Sequence, residues 1–314
     1  MSAVETLRED LARSAAEVLE RLDSAGRLLR PEAGARFPDE VWDQAMAAGW
    51  AQVLLPEAAG GLGLGLEELG AVFKAAGRGP VRGPLIDTAV VLPLAVAAAP
   101  AMAGSVAAAL EGKEIAAWVH GLNPPYGPGL EAIRLEAGRL SGEVRLVLFG
   151  GQAARLLVAA SSASGPVIAF VPAEGAAIEA TPSQDPCAEY ASVRFDAVPV
   201  AAGSVLLEGA AAAAWLARVT ATQRLLAAAE IAGAASRLLD LAVEHSKNRR
   251  QFGRPIGGFQ ALRHILARMA QRTIALENLV DAALADAASD AAALQERSQM
   301  ALAYAAEVGR SVGE

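Results

Sequence analysis

The stretch NRRQFGRPIGGFQ, Asn248 to Gln260, sets three arginines, two phenylalanines and three glycines into one short break between two helical patterns. Upstream, Trp215 to Lys247 places Leu225, Leu226, Ala229, Ala232, Leu238, Leu239 and Ala242 at helical spacing. Downstream, Leu262, Ile265, Leu266 and Met269 resume the same period. Arg249, Arg250 and Arg254 therefore fall at a helix-helix corner. Guanidinium groups there can fork onto a pyrophosphate, and Gly253, Gly257 and Gly258 leave room for a ligand or a neighbouring backbone. Charge alone also allows a second reading, a solvated basic loop.

Outward from the corner, composition bounds what the chain can be. Its 314 residues suffice for a large core and suggest two or three domains. Hydrophobic residues make up 54%, many of them alanine, and aromatics only 4%, which favours close-packed helices over a strand-rich fold. The net charge of -8, with basic residues interspersed among acids except at the corner, argues against nucleic acid as a partner. An anionic ligand must then find a local basic site. The single cysteine, Cys187, excludes an internal disulfide, and the dispersed His120, His245 and His264 have no metal-ligand spacing. A reducing, cytoplasmic compartment fits.

The start, MSAVETLRED, has neither the basic region nor the apolar core of a secretory signal. Thr88 to Leu110 is uncharged, yet it is mostly alanine and contains Pro93 and Pro100, so it reads as buried helices and not as a membrane span. GGLGLGLEELG invites a dinucleotide-loop reading that fails on spacing: after Gly61 and Gly63 the third glycine would be residue 66, which is Leu66, and no strand precedes it.

The period changes twice along the chain. Residues 1–110 are helical, punctuated at Pro31, Pro38, the Pro56 to Gly65 loop and the Gly77 to Pro84 turn region. In residues 111–205, Ile115 to Val119, Leu156 to Ala160, Val167 to Val171 and Ala191 to Phe195 are short apolar runs between turn residues, which predicts a small β-domain. Helices return over 206–314, one long and broken at the corner, another restarting near Asp290. The class is α+β: an N-terminal helical domain, a middle β-domain and a C-terminal helical bundle.

The run RRQFGRPIGGFQALRHILARMA resembles the signature of the acyl-CoA dehydrogenase family, flavoproteins in which this corner lies on the FAD of a neighbouring subunit. GWAQVLLPEAAGGLGLGLEELGAVFKAAGR resembles the family's N-terminal helical segment, and ATQRLLAAAEIAGAASRLLDLAVEHSKNRRQFG its long helix. The domain order inferred from composition is the family's order. The resemblance implies FAD as cofactor, an acyl-CoA substrate, a homo- or hetero-oligomer, and an electron-transferring flavoprotein as acceptor. It implies that Arg249 meets the FAD pyrophosphate across a subunit interface, that Phe252 packs on the cofactor, and that Gln260 bonds the adenosine side. Arg224 matches a helix arginine near the thioester end of the substrate cleft. Simpler roles remain open, Phe252 as a core plug and Arg224 as an ion-pair partner of Glu230.

The departures carry equal weight. The family's catalytic glutamate sits either at the position of Gln223, whose amide cannot act as a base, or beyond Glu314. The chain stops at AAEVGRSVGE within a helical pattern, so it reads as truncated or as lacking that half of a site. In the middle domain the stretch expected to hold a threonine-glutamate pair, a glycine-serine-aspartate loop and a tryptophan strand instead begins WVHGLNPPYGPG, with no tryptophan after Trp118. An intact corner beside a degraded flavin cradle resembles one subunit of the two-gene acyl-CoA dehydrogenases of bacterial steroid side-chain degradation. A self-sufficient homo-oligomeric flavoenzyme and a catalytically silent assembly subunit are the alternatives.

Overall fold

A computed structural model describes residues 10–11, 13–19, 40–79, 81, 83–121, 129–185, 188–287 and 290–314. Cys187, Pro31 and Pro38, with the rest of 1–9, 12 and 20–39 from the predicted helical 1–110 domain, lie outside the described residues. Residues 10–11 and 13–19 are helical, and helices α1 (Glu40–Ala47), α2 (Leu66–Ala76), α3 (Leu92–Ala98) and α4 (Ala103–Leu110) follow, a π-helical turn, Asp87–Val91, leading into α3. Eight strands follow, then α5 (Gly209–Asn248), a two-stranded hairpin, α6 (Gln260–Ala287) and α7 (Ala291–Gly313). The chain has N-terminal helices, a central sheet and C-terminal helices. Its residues gather into two compact units, one formed by 1–30, 65–81 and 220–314, the other by 31–64 and 82–219.

The second unit holds the sheet. Its strands are β1 (Ile115–Val119), β2 (Ile133–Glu136), β3 (Arg139–Leu148), β4 (Ala153–Ser162), β5 (Gly165–Pro172), β6 (Ala177–Thr181), β7 (Tyr190–Pro199) and β8 (Val205–Glu208). They run in the order β6-β7-β3-β2-β4-β5-β8, with β1 parallel to β4 in the register Trp118 to Leu157. The four predicted strands are β1 and the centres of β4, β5 and β7. The others lack a readable period for physical reasons. In β3 the register shifts between Leu140 and Gly142 and again between Val144 and Val147, and Leu146 has φ +58, so its buried residues Leu140, Val144 and Val147 do not alternate. No residue of β6 is buried, and β8 is four residues long.

Thr88 to Leu110 lies in the π-turn, α3 and α4, and every residue of the π-turn is buried. No described helix is long and apolar enough to cross a membrane. The core against β1 is aromatic and polar at once. The buried Asp87 carboxylate accepts a 3.0 Å bond from the Trp118 backbone N–H, on the side of β1 that β4 does not use. The Trp118 ring stacks on His120 at 5.0 Å and meets Trp215 edge-on at 5.5 Å, while Trp215 Nε1 donates to the Leu94 carbonyl at 3.0 Å.

The first unit is a helical bundle. α5 runs for 40 residues with no proline and many alanines, the residue type that loses least on entering a helix. α2 and α5 approach backbone to backbone: a Cβ on Gly77 would sit 1.9 Å from the Glu230 carbonyl oxygen, and one on Gly233 would sit 1.9 Å from that of Lys74. Arg78 then reaches across to Asp240 at 2.6 Å and Ser236 at 3.0 Å, and Lys74 pairs with Asp281 of α6 at 2.5 Å. α7 buries Leu294, Ser298, Ala301, Ala305, Val308 and Val312, one face at helical spacing, and Asp290 caps it through a bond from the Ala292 N–H at 3.0 Å.

Candidate functional site

α5 ends at Asn248, and the Arg249 N–H still bonds the His245 carbonyl. The chain then reverses in a hairpin of β9 (Arg250–Gln251) and β10 (Arg254–Pro255), paired Arg254 to Gln251 and Pro255 to Arg250, and closed at its base by Ile256 N–H to Arg249 carbonyl at 2.8 Å. Phe252 and Gly253 form the two-residue tip with φ +52 and +78. Two-residue hairpin turns of this kind need left-handed residues, which glycine accepts freely and phenylalanine does not. The Phe252 side chain is 91% exposed, meeting Phe259 only edge-on at 6.1 Å, while the Arg254 guanidinium lies 4.1 Å over the Phe259 ring.

A bulky aromatic held in a strained conformation and in water gains nothing for this chain alone. Phe252 is therefore not a core plug. Phe252→Asn should raise the stability of the isolated chain by about 1 kcal/mol, since Asn-Gly suits the turn, while weakening whatever packs on the ring. Thermal melting of the variant set against its flavin affinity checks the two opposite signs.

Arg249, Arg250, Arg254 and Gln260 are all exposed on this corner, Gln260 as the first residue of α6. Gly257 comes close to Ser246, whose carbonyl and hydroxyl would lie 3.1 Å from an added Cβ. The structure thus brings Arg249, Phe252 and Gln260 together at one corner, with outward-facing donors and an aromatic tip, a set that fits a dinucleotide approaching from outside the chain.

Arg224 is elsewhere. It lies half-buried on α5, 25 positions before Arg249; a helix rises 1.5 Å per residue, so the two are on the order of 35 Å apart. Arg224 and the corner cannot touch the same small group. Among the described residues Arg224 forms no ion pair with Glu230. Burial pushes the Glu230 carboxyl up from its ordinary range. Gln223 is half-buried beside Arg224.

Sequence reasoning missed Asp87. Desolvation raises its carboxyl to about 7, against the opposing pull of the Trp118 N–H bond, and burial lowers His120 to about 4. The π-turn that carries Asp87 has no local sequence signature, so no signal marked it. Trp118 Nε1 is buried with no acceptor among the described residues. The stretch expected to cradle a flavin ring thus begins with an aromatic stack made by the chain itself, and residues 122–128, which continue it, lie outside those described. Among the described residues no three metal-ligating side chains come together.

The family descriptions "Acyl-CoA dehydrogenase, N-terminal domain" and "Acyl-CoA dehydrogenase, C-terminal domain" match residues 3–103 and 213–314. The chain belongs to the acyl-CoA dehydrogenase family. It is 30% identical over 263 residues to the acyl-CoA dehydrogenase IpdE2 of Mycobacterium tuberculosis, an alignment covering 83% of this chain and 70% of that one. Alignments to curated relatives span from 24% to 70% of their lengths. Among solved structures it is similar to a variant of the Tcur3481-Tcur3483 steroid ACAD, at 29% identity and TM-score 0.82 over 99% of this chain and 85% of that one. It is also similar to the ChsE4-ChsE5 complex of Mycobacterium tuberculosis, at 25% identity and TM-score 0.80 over 98% and 86%.

Proposed function

We propose that this chain is one subunit of an FAD-dependent acyl-CoA dehydrogenase built from unlike chains, to which it brings the nucleotide corner of a shared site. The observation that carries this reading is the corner itself: Arg249, Phe252 and Gln260 face away from their own chain, and Arg224 lies far along the helix from them. One chain therefore serves two separate sites. The similarity to complexes of two differently named chains supports unlike partners.

FAD, when bound, supplies hydride acceptance from the β-carbon of an acyl-CoA thioester as it becomes the enoyl-CoA. Arg249 would hold the pyrophosphate, Phe252 would pack on the cofactor, and Gln260 would bond the adenosine side. Arg224 lines the substrate cleft. In this reading the proton from the α-carbon would go to a carboxylate other than residue 223, since Gln223 has no basic oxygen at neutral pH. The relatives' steroid connection makes a steroid side-chain thioester the acyl group to try first, with an electron-transferring flavoprotein as acceptor.

Arg249→Ala should remove a charge-assisted contact worth about 2 to 4 kcal/mol and strip flavin from the assembled protein, with Arg250→Ala doing less. Flavin absorbance per chain reads this directly. Flavin retained equally in wild type and Arg249→Ala sinks the assignment of the corner. One tightly bound FAD on every chain of a homo-oligomer, with turnover, replaces the unlike-subunit reading by the self-sufficient one.

A further inference from the structure

The second unit holds a cavity of about 600 Å³ whose wall includes neither a corner residue nor Arg224. Two hairpin turns and the approach to β8 build it. Ala137 and Gly138 join β2 to β3 with φ +48 and +71, and Ala163 and Ser164 join β4 to β5. The Val200 N–H donates to the Gly138 carbonyl at 2.8 Å, which fastens the chain after β7 to the first of these turns. Leu135, Val167, Val200 and Val205 supply the apolar surface, with Val167 fully buried and paired across β5 and β8 with Glu208. A cavity of this size, mostly apolar with a few polar groups at fixed positions, has the composition of a small-molecule site.

The polar side chains of the wall are all of one kind. Glu136 and Glu208 line the cavity, and no lysine, arginine or histidine does. Among the described residues neither carboxylate has an ion-pair or hydrogen-bond partner. Arg139, opposite Glu136 in the hairpin register, donates to the Ala197 carbonyl at 2.8 Å instead. Ser162 Oγ donates to the Gly165 carbonyl at 2.9 Å and stands 3.0 Å from Ser164 Oγ, so the Ser164 proton turns toward Ser162 and the Ser164 oxygen keeps only lone pairs for the cavity. The side chains thus offer negative charge and acceptors over an apolar floor, and no donor. An anion meets only repulsion there.

We propose that this cavity binds a small primary amine with an apolar body, its ammonium drawn to Glu136 and Glu208 and its hydrocarbon laid against Leu135, Val167 and Val205. An ammonium carries three donors and no acceptor, the converse of the wall. The hydrocarbon covers the aliphatic floor, which a hydrated inorganic cation would leave wet. A divalent metal is the wrong occupant. Calcium collects roughly six to eight oxygens, whereas among the described residues no third metal-ligating side chain joins the two glutamates. A lysine of another protein brings the same ammonium on a short stem and leaves most of the cavity unfilled. The phosphates of a flavin or an acyl-CoA are repelled by the two carboxylates, so the inference goes beyond the dehydrogenase reading and stands without it.

Hexylammonium, hexanol and hexanoate share one apolar body and differ in charge, which makes them the probes. In isothermal titration calorimetry on the full chain, wild type should bind hexylammonium about fivefold more tightly than hexanol and should not bind hexanoate, and added salt should erode that preference. Glu136→Gln/Glu208→Gln removes both charges at exposed positions with little change in volume, and Ala202→Phe sets a ring at the exposed turn that lines the cavity. Circular dichroism confirms that both variants fold. The first should lower hexylammonium affinity about fivefold and leave hexanol unchanged; the second should weaken both probes. Nα-acetyl-lysine amide should bind wild type more weakly than hexylammonium. Any of four results overturns the proposal: no hexylammonium binding, equal affinity for hexylammonium and hexanol, binding that neither variant alters, or tighter binding of the lysine amide, which assigns the cavity to a protein side chain. Flavin content of the assembled protein should be the same in wild type and in both variants, so failure at this cavity is distinguishable from failure of the corner.

Discussion

Gly233→Ala is expected to destabilise the protein by about 3 to 5 kcal/mol, far more than one added methyl costs on an open helix. The new Cβ would sit 1.9 Å from the Lys74 carbonyl oxygen, with the Lys74 carbonyl carbon at 2.9 Å and its Cα at 3.2 Å. All three are backbone atoms, so no rotamer change relieves the clash. α2 must move away from α5, and the reciprocal contact of Gly77 with Glu230 and the reach of Arg78 to Asp240 go with it. The control is Gly104→Ala in α4, where nothing lies within 4 Å of the added carbon and the usual helix preference for alanine should give a gain of about 0.5 to 1 kcal/mol. Urea denaturation of both variants checks the contrast, and a loss under 1 kcal/mol at Gly233 would mean that the two helices do not pack through it.

Asp87→Asn is expected to change how stability depends on pH, with the largest gain on the alkaline side. The folded carboxyl is raised from 3.8 to about 7, chiefly by desolvation. The folded state therefore holds the proton more tightly than the unfolded chain. That contribution is fully present below pH 3.8 and is lost as the pH rises through about 7, a change on the order of 4 kcal/mol. Asparagine keeps an oxygen to accept the Trp118 N–H and has no charge to desolvate, so the variant should exceed the wild type at pH 8 and match it near pH 4. His120 acts with the opposite slope. Its folded value is lowered from 6.5 to about 4 by burial, so its contribution is present above 6.5 and is lost as the pH falls through about 4. Between those limits the two groups oppose each other in the wild type. In Asp87→Asn the histidine slope should stand alone, and stability should fall monotonically on acidification. A variant whose melting temperature tracks the wild type from pH 4 to 8 would show that Asp87 does not titrate in the folded protein.

How much of this could be read locally differs from element to element. α5 is legible because forty residues of alanine-rich helical period with no proline leave no competing structure, and α7 because Asp290 both breaks the preceding pattern and caps the next. β1, β4, β5 and β7 are legible as apolar runs between turn residues. β3 is not, because two register shifts break its alternation, and a bulge depends on the strands alongside. Arg249, Phe252 and Gln260 are visible as residue types in the motif, yet nothing local states that Phe252 takes a left-handed backbone and points into water. That follows from the hairpin closing between two helices whose directions are set by packing.

The order of helices, sheet and helices, the basic corner and the absence of a carboxylate at Gln223 are properties of the chain that local period and residue chemistry determine by themselves. Which polar groups lose water, and which large side chains keep it, only the tertiary structure decides. Asp87 becomes a buried acid because its neighbours in the fold exclude water from a carboxylate that meets the Trp118 N–H, and Ile265 stays exposed because α6 turns its other stripe to the bundle. Burial is a sum over neighbours distant in sequence, and no local window contains that sum.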